Sequence, residues 1–120
     1  MRFVVTGGAG FVGSHLVKHL LKNDHDVIVI DNLHTGKKEN LGSVIDKIEF
    51  QELDIRNHES MKNILKNIDG VFHQAALTVV QDSFSNPKEY HDVNVQGTEN
   101  IFRLSIENKF KVVYASSSSV

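Results

Sequence analysis

The 120-residue sequence contains no cysteine and no tryptophan, and its only proline is Pro87. Without cysteine, the chain has neither disulfides nor thiolate metal sites. No apolar run approaches the roughly 20 residues that a membrane-spanning helix needs. The N-terminus, Met1-Arg2, leads directly into a short apolar stretch and does not resemble a secretory signal. We therefore expect a cytoplasmic protein that does not associate with membranes.

An excess of positive charge is also missing. The formal net charge is −2, with 13 lysines and arginines against 15 aspartates and glutamates. A basic surface that would hold nucleic acid or anionic lipid is therefore not expected. Hydrophobic residues make up 40% and charged residues 23% of the chain, proportions that are typical of a globular protein. The length suits a single domain.

Short apolar strands alternate with helical stretches along the whole chain. The strands are predicted at residues 3–5, 27–30, 48–50, 71–73 and 112–115, and the helices at 10–21, 57–68 and 86–104. Alternating strands and helices form parallel sheets through crossover connections. We expect an α/β fold with a doubly wound parallel sheet of five strands in the order 3-2-1-4-5. Residues 1–120 would be part of a Rossmann domain, truncated before strand six.

A glycine-rich turn, residues 6–13, follows the first predicted strand and begins the first predicted helix. Gly7 and Gly8 permit backbone angles that other residues avoid, and Gly10 lets the main chain approach a pyrophosphate. The helix start offers unpaired N–H groups and a positive dipole end to phosphates. Gly13 lies on the apolar stripe of the helix, so we expect it to face the sheet. The residues of this turn predicted to bind a cofactor are Gly7, Gly10, Phe11, Val12 and Gly13.

An acidic residue, Asp31, ends the second predicted strand, 18 residues after Gly13. In dinucleotide-binding folds a carboxylate at this position binds the adenosine ribose hydroxyls. It would repel a 2′-phosphate, and the next arginine is Arg56. The pattern therefore favours NAD over NADP, although Lys37 and Lys38 leave NADP open. Together these features predict that the chain binds the ADP half of NAD; the alternative is a tight strand–helix turn with no ligand.

Several short blocks in order resemble one protein family along the whole chain. They are Thr6 to Ser14, Asp31-Asn32-Leu33, Asp54-Ile55-Arg56, His73-Gln74-Ala75-Ala76, Ser83, Pro87, Asn94 to Thr98 and Ala115 to Val120. The sequence is similar to the NAD-dependent epimerase/dehydratase family, extended short-chain dehydrogenases/reductases that act on nucleotide sugars. The resemblance implies NAD as cofactor, a nucleotide-sugar substrate, most often a UDP-sugar, and transient oxidation of a sugar carbon.

The resemblance implies cofactor contacts beyond the glycine turn. Asn32 belongs to the adenosine side, and Asp54 and Ile55 would lie against the adenine, with the Asp54 carboxylate accepting from its exocyclic amine. From the sequence alone, the alternative for Asp54 is a solvated loop acid or a charge at a helix start.

The resemblance also implies contacts after the fourth strand. Gln74, Ala75 and Ala76 would lie against the nicotinamide ribose; tight packing is the alternative explanation of the two alanines. Asn94, inside a predicted helix, would hold an adjoining loop and the cofactor, unless it is a surface residue.

One catalytic residue is implied, and one is missing. Ser117 would hydrogen-bond the reacting oxygen of the sugar; a polar loop without a role is the alternative. Family members use a tyrosine base whose pKa is lowered by a lysine four residues later, but Tyr90 and Tyr114 are followed at that spacing by Asn94 and Ser118. We expect the N-terminal piece of an epimerase or dehydratase, inactive by itself. The alternative is a module that binds NAD or ADP-ribose without catalysis.

Other site types are not supported by the sequence. His15 and His19 are four residues apart on a predicted helix, but no third ligand accompanies them, so we expect no metal site. A serine-hydrolase elbow and a phosphate-binding P-loop are both absent.

The fifth predicted strand suggests self-association. Val112, Val113 and Tyr114 would form an open sheet edge if no sixth strand pairs with them, and Phe102 or Phe110 would be partly bare beside it. We therefore expect a homodimer with adjacent fifth strands.

Overall fold

The computed structural model describes residues 1–117 and contains one sheet of five strands. The strands are β1 (Arg2–Thr6), β2 (Asp26–Asp31), β3 (Glu49–Glu52), β4 (Gly70–His73) and β5 (Lys111–Tyr114). All neighbouring pairs are parallel, and their order is β3-β2-β1-β4-β5. The predicted doubly wound α/β arrangement is thus confirmed. Ser118, Ser119 and Val120, the end of the last predicted block, lie outside the described residues.

Helical segments connect the strands. They are α1 (Phe11–Lys22), two short 3₁₀ segments (Lys38–Asn40 and Gly42–Lys47), α2 (His58–Ile64), α3 (Val80–Ser85), α4 (Pro87–His91), a π-helical segment (Asp92–Gly97) and α5 (Thr98–Asn108). Within the part of the chain that the structure describes, no helix is both long and apolar enough to cross a lipid bilayer.

The central strands of the sheet are buried on both faces, as expected for parallel strands covered by helices. Successive residues of β1 point to opposite sides, so Val4 and Val5, both fully buried, belong to different cores. Val5 packs in the cluster that contains Val17 and Leu20 of α1. Val4 packs in the larger cluster on the other side, with residues of α2 and α5, among them Met61, Ile101 and Leu104. The two cores bury the three central strands, β2, β1 and β4, between the helices.

Two helices differ from their predicted extents. The predicted capping of α2 by Asn57 is confirmed, because the backbone N–H of Ser60 donates to the Asn57 side chain at 3.2 Å. The helix ends at Ile64, however, and Ile68 reaches the core from the following loop. The helix that begins at Pro87 continues through Asn108, but its middle has the wider π-helical geometry. The hydrophobic period of the sequence could not reveal that extra residue per turn.

One helix was not predicted. In α3, Val80 and Phe84 are 70% and 81% exposed, so this helix lacks the buried apolar stripe from which helices are predicted.

The open edge at β5 is partly as expected. Val113 and Tyr114 are about half exposed and Phe102 is 40% exposed. Phe110, by contrast, is buried in the core cluster of α2 and α5, so of the two phenylalanines expected to be partly bare only Phe102 is. Phe110 follows the left-handed residue Lys109 that ends α5, and this turn directs its ring inward.

Candidate functional site

A cleft of about 750 Å³ lies at the carboxyl ends of the strands, where ligands bind in open α/β sheets. Its walls come from the residues that follow β1, β2, β3, β4 and β5 and from the helices α1 and α4, the π-helical segment and α5. All fourteen residues predicted for the site line this one cleft: Gly7, Gly10, Phe11, Val12, Gly13, Asp31, Asn32, Asp54, Ile55, Gln74, Ala75, Ala76, Asn94 and Ser117. Their individual roles remain predictions.

The glycine turn is packed too tightly for side chains. Gly7 has a φ of +70°, and a Cβ placed there would lie 2.9 Å from the Ala75 nitrogen. Gly8 does not have a positive φ, so that expectation is wrong; its hydrogen instead leaves room for the Val29 side chain, which a Cβ would approach to 2.6 Å. A Cβ on Gly13 would lie 2.1 Å from the Gly7 carbonyl oxygen. Gly13 therefore faces the turn itself, and not the strands as the sequence suggested.

The start of α1 is open to the cleft. The N-cap residue, Gly10, has no side chain that could cap the helix. The first-turn residues Phe11, Val12 and Gly13 line the cavity. The first N–H groups of a helix have no intrahelical acceptor and carry its positive dipole end. The arrangement suits a phosphate group, and Phe11 and Val12, 79% and 60% exposed, offer apolar cover beside it.

The Asp31 carboxylate is fixed at the end of β2. It is 7% exposed, and its oxygens accept from the backbone N–H of Ala9 at 2.9 Å and of Leu33 at 2.7 Å. Gly36 closes over it, since a Cβ there would lie 2.9 Å from Asp31 Oδ2. Each carboxylate oxygen accepts more than one hydrogen bond. Asp31 can therefore bind a ligand hydroxyl without releasing the turn.

An ion pair forms the wall beyond β3. Arg56 Nε donates to both oxygens of Asp54 at 3.0 and 3.1 Å, and Nη2 donates to Oδ2 at 2.6 Å. The hydrogen bonds from Arg56 hold the pKa of Asp54 below its usual value, although partial burial opposes this. A cofactor amine bound by Asp54 would share the carboxylate with Arg56. Arg56 is a cleft residue to which the sequence analysis gave no role.

A buried histidine joins the end of β4 to two threonines. His73 is 2% exposed; its Nδ1 lies 2.6 Å from Thr6 Oγ1, and its Nε2 lies 2.8 Å from Thr98 Oγ1. Burial lowers the pKa of His73 to about 4, so the imidazole is neutral at pH 7. The Thr6 hydroxyl oxygen also accepts from the backbone N–H groups of Gln74 and Ala75, both at 3.1 Å.

Asn94 holds the same loop from the π-helical segment. Its Oδ1 accepts from the Leu77 N–H and its Nδ2 donates to the Leu77 carbonyl, both at 2.8 Å. The predicted loop contact of Asn94 is thus present, and the residue is half-buried and not a surface residue. A contact between Asn94 and a cofactor remains a prediction.

Several cleft residues were missed by the sequence analysis. Two threonines are among them, Thr35 and Thr98, together with Gly36 and His73. Gly36, a glycine in a polar loop shortly after Asp31, was a usable signal. Residues 1–117 contain no group of three or more histidine, aspartate or glutamate side chains that could hold a metal ion.

Comparison of the sequence with protein families identifies the family of this chain. Residues 3–120 match the NAD-dependent epimerase/dehydratase family. The chain belongs to that family. NAD is the cofactor for which this epimerase/dehydratase family is named, in agreement with the glycine turn and Asp31.

Individual members of the family cover the chain almost completely. A Methanocaldococcus jannaschii protein named for UDP-glucose 4-epimerase is 45% identical over 116 residues, which are 95% of this chain and 37% of the relative. The UDP-N-acetylglucosamine 4-epimerase of Methanobrevibacter ruminantium has a TM-score of 0.92 and 39% identity, over 99% of this chain and 38% of the other. The UDP-glucose 4-epimerase of Thermus thermophilus in complex with NAD has a TM-score of 0.87 and 38% sequence identity, over 98% of this chain and 38% of the other. The chain thus spans little more than a third of these relatives.

Proposed function

We propose that this chain is the NAD-binding part of a nucleotide-sugar epimerase of the UDP-glucose 4-epimerase type. The observation that carries the proposal is the single cleft in which the glycine turn, Asp31 and the residues after β4 meet. These features are far apart in the sequence, and each suits a different part of a dinucleotide. The 45% identity to a protein named for this epimerase supports the choice among family members.

The two mononucleotide-binding halves of the fold would each receive half of NAD. On the β2 side, Asp31 would accept from the adenosine ribose hydroxyls, and Asp54 and Ile55 would lie against the adenine. The pyrophosphate would lie on the start of α1. On the β4 side, Gln74, Ala75 and Ala76 would face the nicotinamide ribose.

When bound, NAD supplies a hydride acceptor that is reduced and reoxidised within one turnover. The chain contributes Ser117, at the cleft after β5, which would bind the reacting oxygen of a UDP-sugar. Proton removal from the sugar hydroxyl needs a base, and the 120 residues contain no Tyr-x-x-x-Lys. That absence favours a second candidate for the 120 residues taken alone, a dinucleotide-binding module without catalysis. A dehydratase fragment would share the same cleft.

Calorimetric titration of the 120-residue chain with NAD tests the proposal. We expect one site per chain, with ADP binding more weakly at the same site. If neither nucleotide binds at millimolar concentration, the proposed function is wrong.

An activity assay separates the epimerase from the module. We expect the pure chain not to convert UDP-glucose to UDP-galactose, because general base catalysis contributes about 10²–10⁴-fold to rate and the base is absent. Measurable turnover would show that another residue of this chain removes the proton.

A further inference from the structure

We propose that Thr6, His73 and Thr98 are positioning residues for the nicotinamide half of the cleft, through a chain of hydrogen bonds that can run in only one direction. The inference rests on the proposed function, because it names what holds the loop that the nicotinamide half of NAD would contact. None of the three is required to touch the cofactor. They act through the backbone of Gln74 and Ala75.

The direction of this hydrogen-bond chain follows from the number of hydrogens that each group can donate. Thr98 has one hydroxyl hydrogen, and it donates to the Asn94 carbonyl at 2.7 Å. Toward His73 the Thr98 oxygen can therefore only accept, so the proton of the imidazole is on Nε2. In the neutral ring, Nδ1 is then an acceptor, and it receives the hydroxyl hydrogen of Thr6 at 2.6 Å.

The Thr6 hydroxyl oxygen completes the hydrogen-bond chain. Its hydrogen is donated to His73, so both of its lone pairs remain for the N–H groups of Gln74 and Ala75, each at 3.1 Å. Each hydroxyl and ring hydrogen along the path is donated once, and the Gln74 N–H is shared between the Thr6 hydroxyl and the Thr6 backbone carbonyl, both at 3.1 Å. The low pKa of His73, about 4 through burial, keeps the ring neutral, as the path requires.

The held loop is a wall of the cleft. Residues 74–77 all line it. Their first two amides are fixed by Thr6, and Leu77 is fixed by Asn94, whose carbonyl ends the hydrogen-bond chain. The loop also abuts the phosphate turn, since a Cβ on Gly7 would lie 2.9 Å from the Ala75 nitrogen. The loop therefore has little room to move without opening this half of the cleft.

The π-helical segment explains how one helix holds both ends of the loop. Asn94 lies within it and Thr98 directly follows it, and both residues line the cleft. π-helical turns occur frequently at functional sites. Here the segment presents the Asn94 amide to Leu77, and the first residue after it, Thr98, presents a hydroxyl to His73.

Removing one hydroxyl should disturb the loop through the histidine. In Thr98→Val the shape is kept but the Nε2–H of His73 loses its acceptor in a buried place. Transfer of the ring proton to Nδ1 relieves this cost, but Nδ1 then donates to the Thr6 oxygen. That oxygen would face three donors with two lone pairs, so Gln74 or Ala75 loses its contact with the hydroxyl, and in the first case Gln74 keeps only its hydrogen bond to the Thr6 carbonyl.

Calorimetry of the full 120-residue chain with NAD and with ADP provides the test. In Thr98→Val we expect NAD to bind about tenfold more weakly, as for the loss of one buried hydrogen bond, and ADP to change less than about twofold. Thr98→Ser keeps the hydroxyl and should restore NAD binding. Ser105→Ala is the matched control, because it removes a helix hydroxyl that donates to the Phe102 carbonyl outside the cleft.

Nitrogen NMR of the imidazole gives a second readout that a merely structural role would not move. The wild-type chain at pH 7 should show His73 with its proton on Nε2, and Thr98→Val should show it on Nδ1. If Thr98→Val does not fold, the wild-type tautomer and the binding of NAD to Thr98→Ser decide the matter.

Three results would overturn the positioning role while leaving the proposed function intact. They are an Nδ1-protonated or charged His73 in the wild type, an equal loss of ADP and NAD in folded Thr98→Val, and unchanged NAD affinity in that variant. Failure of the wild-type chain to bind either nucleotide would instead overturn the proposed function, and the positioning role with it.

Discussion

The two sides of the cleft are built from different kinds of interaction. On the β2–β3 side, carboxylates form the wall: Asp31 at a strand end, and Asp54 paired with Arg56. On the β4 side, the loop is held by neutral groups, the buried His73 between two threonine hydroxyls. Charge can discriminate between ligands at a distance, whereas a neutral buried network fixes geometry. We therefore expect the first side to select the nucleotide and the second to orient it.

The largest effect should come from the turn that both sides share. In Gly13→Ala the new Cβ would lie 2.1 Å from the Gly7 carbonyl oxygen, so α1 or the turn must move. Overpacking typically costs about 1–3 kcal/mol, and a contact this short lies at the upper end. We expect NAD and ADP to lose affinity equally, by about 100-fold, as measured by calorimetry beside thermal unfolding.

Gly42→Ala serves as a control for Gly13→Ala. Its Cβ would meet no atom within 4 Å, although its φ is +47°, so it should cost only about 1–2 kcal/mol of stability and leave binding intact. NAD binding by Gly13→Ala within tenfold of wild type would contradict the assigned packing.

The loss of folding stability below neutral pH should come mainly from the β4 side of the cleft, through His73. His73 has a pKa of about 4 when folded, against 6.5 when unfolded. Between these values the unfolded chain binds more protons, so stability is fully present above pH 6.5 and is lost as the pH falls to about 4. The loss should be about 3 kcal/mol. The carboxylate of Asp54, whose pKa lies below 3.8, loses its contribution only at still lower pH.

Urea unfolding from pH 4.5 to pH 7 measures this difference. The free energy of unfolding should rise with pH in the wild type, and the rise should be smaller in His73→Asn. His58→Asn, an exposed histidine at the start of α2, is the control. Equal slopes in wild type and His73→Asn would show that the ring is not held neutral by burial.

The same contrast explains what the sequence could and could not predict. Asp31 and Asp54 each bond a backbone N–H two residues later, and the glycine turn joins adjacent elements, so short patterns contain these features. The His73 network joins residues 67 and 25 positions apart, and only the fold brings them together. The helix from Pro87 was predicted from its apolar residues, whereas its π-helical segment was not, because the hydrophobic period does not distinguish the two helical geometries.

The relative affinities for NAD and NADP should test whether the carboxylates on the β2–β3 side of the cleft select the nucleotide. We expect the wild type to prefer NAD by at least about tenfold, because the Asp31 carboxylate would repel a 2′-phosphate. Asp31→Asn removes the charge, so the preference should narrow; it also replaces one of the two oxygens that accept from Ala9 and Leu33 with an amide donor, so NAD binding itself should weaken. Calorimetry at low and high salt should show the wild-type preference weakening with salt.

Asp24→Asn is the matched control for Asp31→Asn, since Asp24 is an exposed turn residue with a φ of 62°, a conformation that asparagine also adopts. Equal affinity for NAD and NADP in the wild type would remove the role assigned to Asp31.

The smallest effect should be self-association, because the two edges of the sheet, β3 and β5, also differ in charge. At the β3 edge, Glu49 pairs with Arg2, and Lys38 lies 4.9 Å from the Phe50 ring; such charges protect an edge. At the β5 edge, Val113 is 54% exposed, and no strand among residues 1–117 pairs with its outer side. We propose weak dimers with adjacent β5 strands, visible by light scattering only at high protein concentration.

A charge placed on β5 tests the assignment of this edge. Val113→Lys should give a monomeric mass at every concentration, because two β5 strands would bring like charges together. Val80→Lys makes the same substitution at an exposed position on α3 and should leave the dimer intact. If only Val80→Lys dissociates it, the contact lies on the helices and not on the sheet edge. A wild-type chain that is strictly monomeric, with slow amide exchange from Val112 to Ala115, would mean that the β5 edge is protected within the monomer.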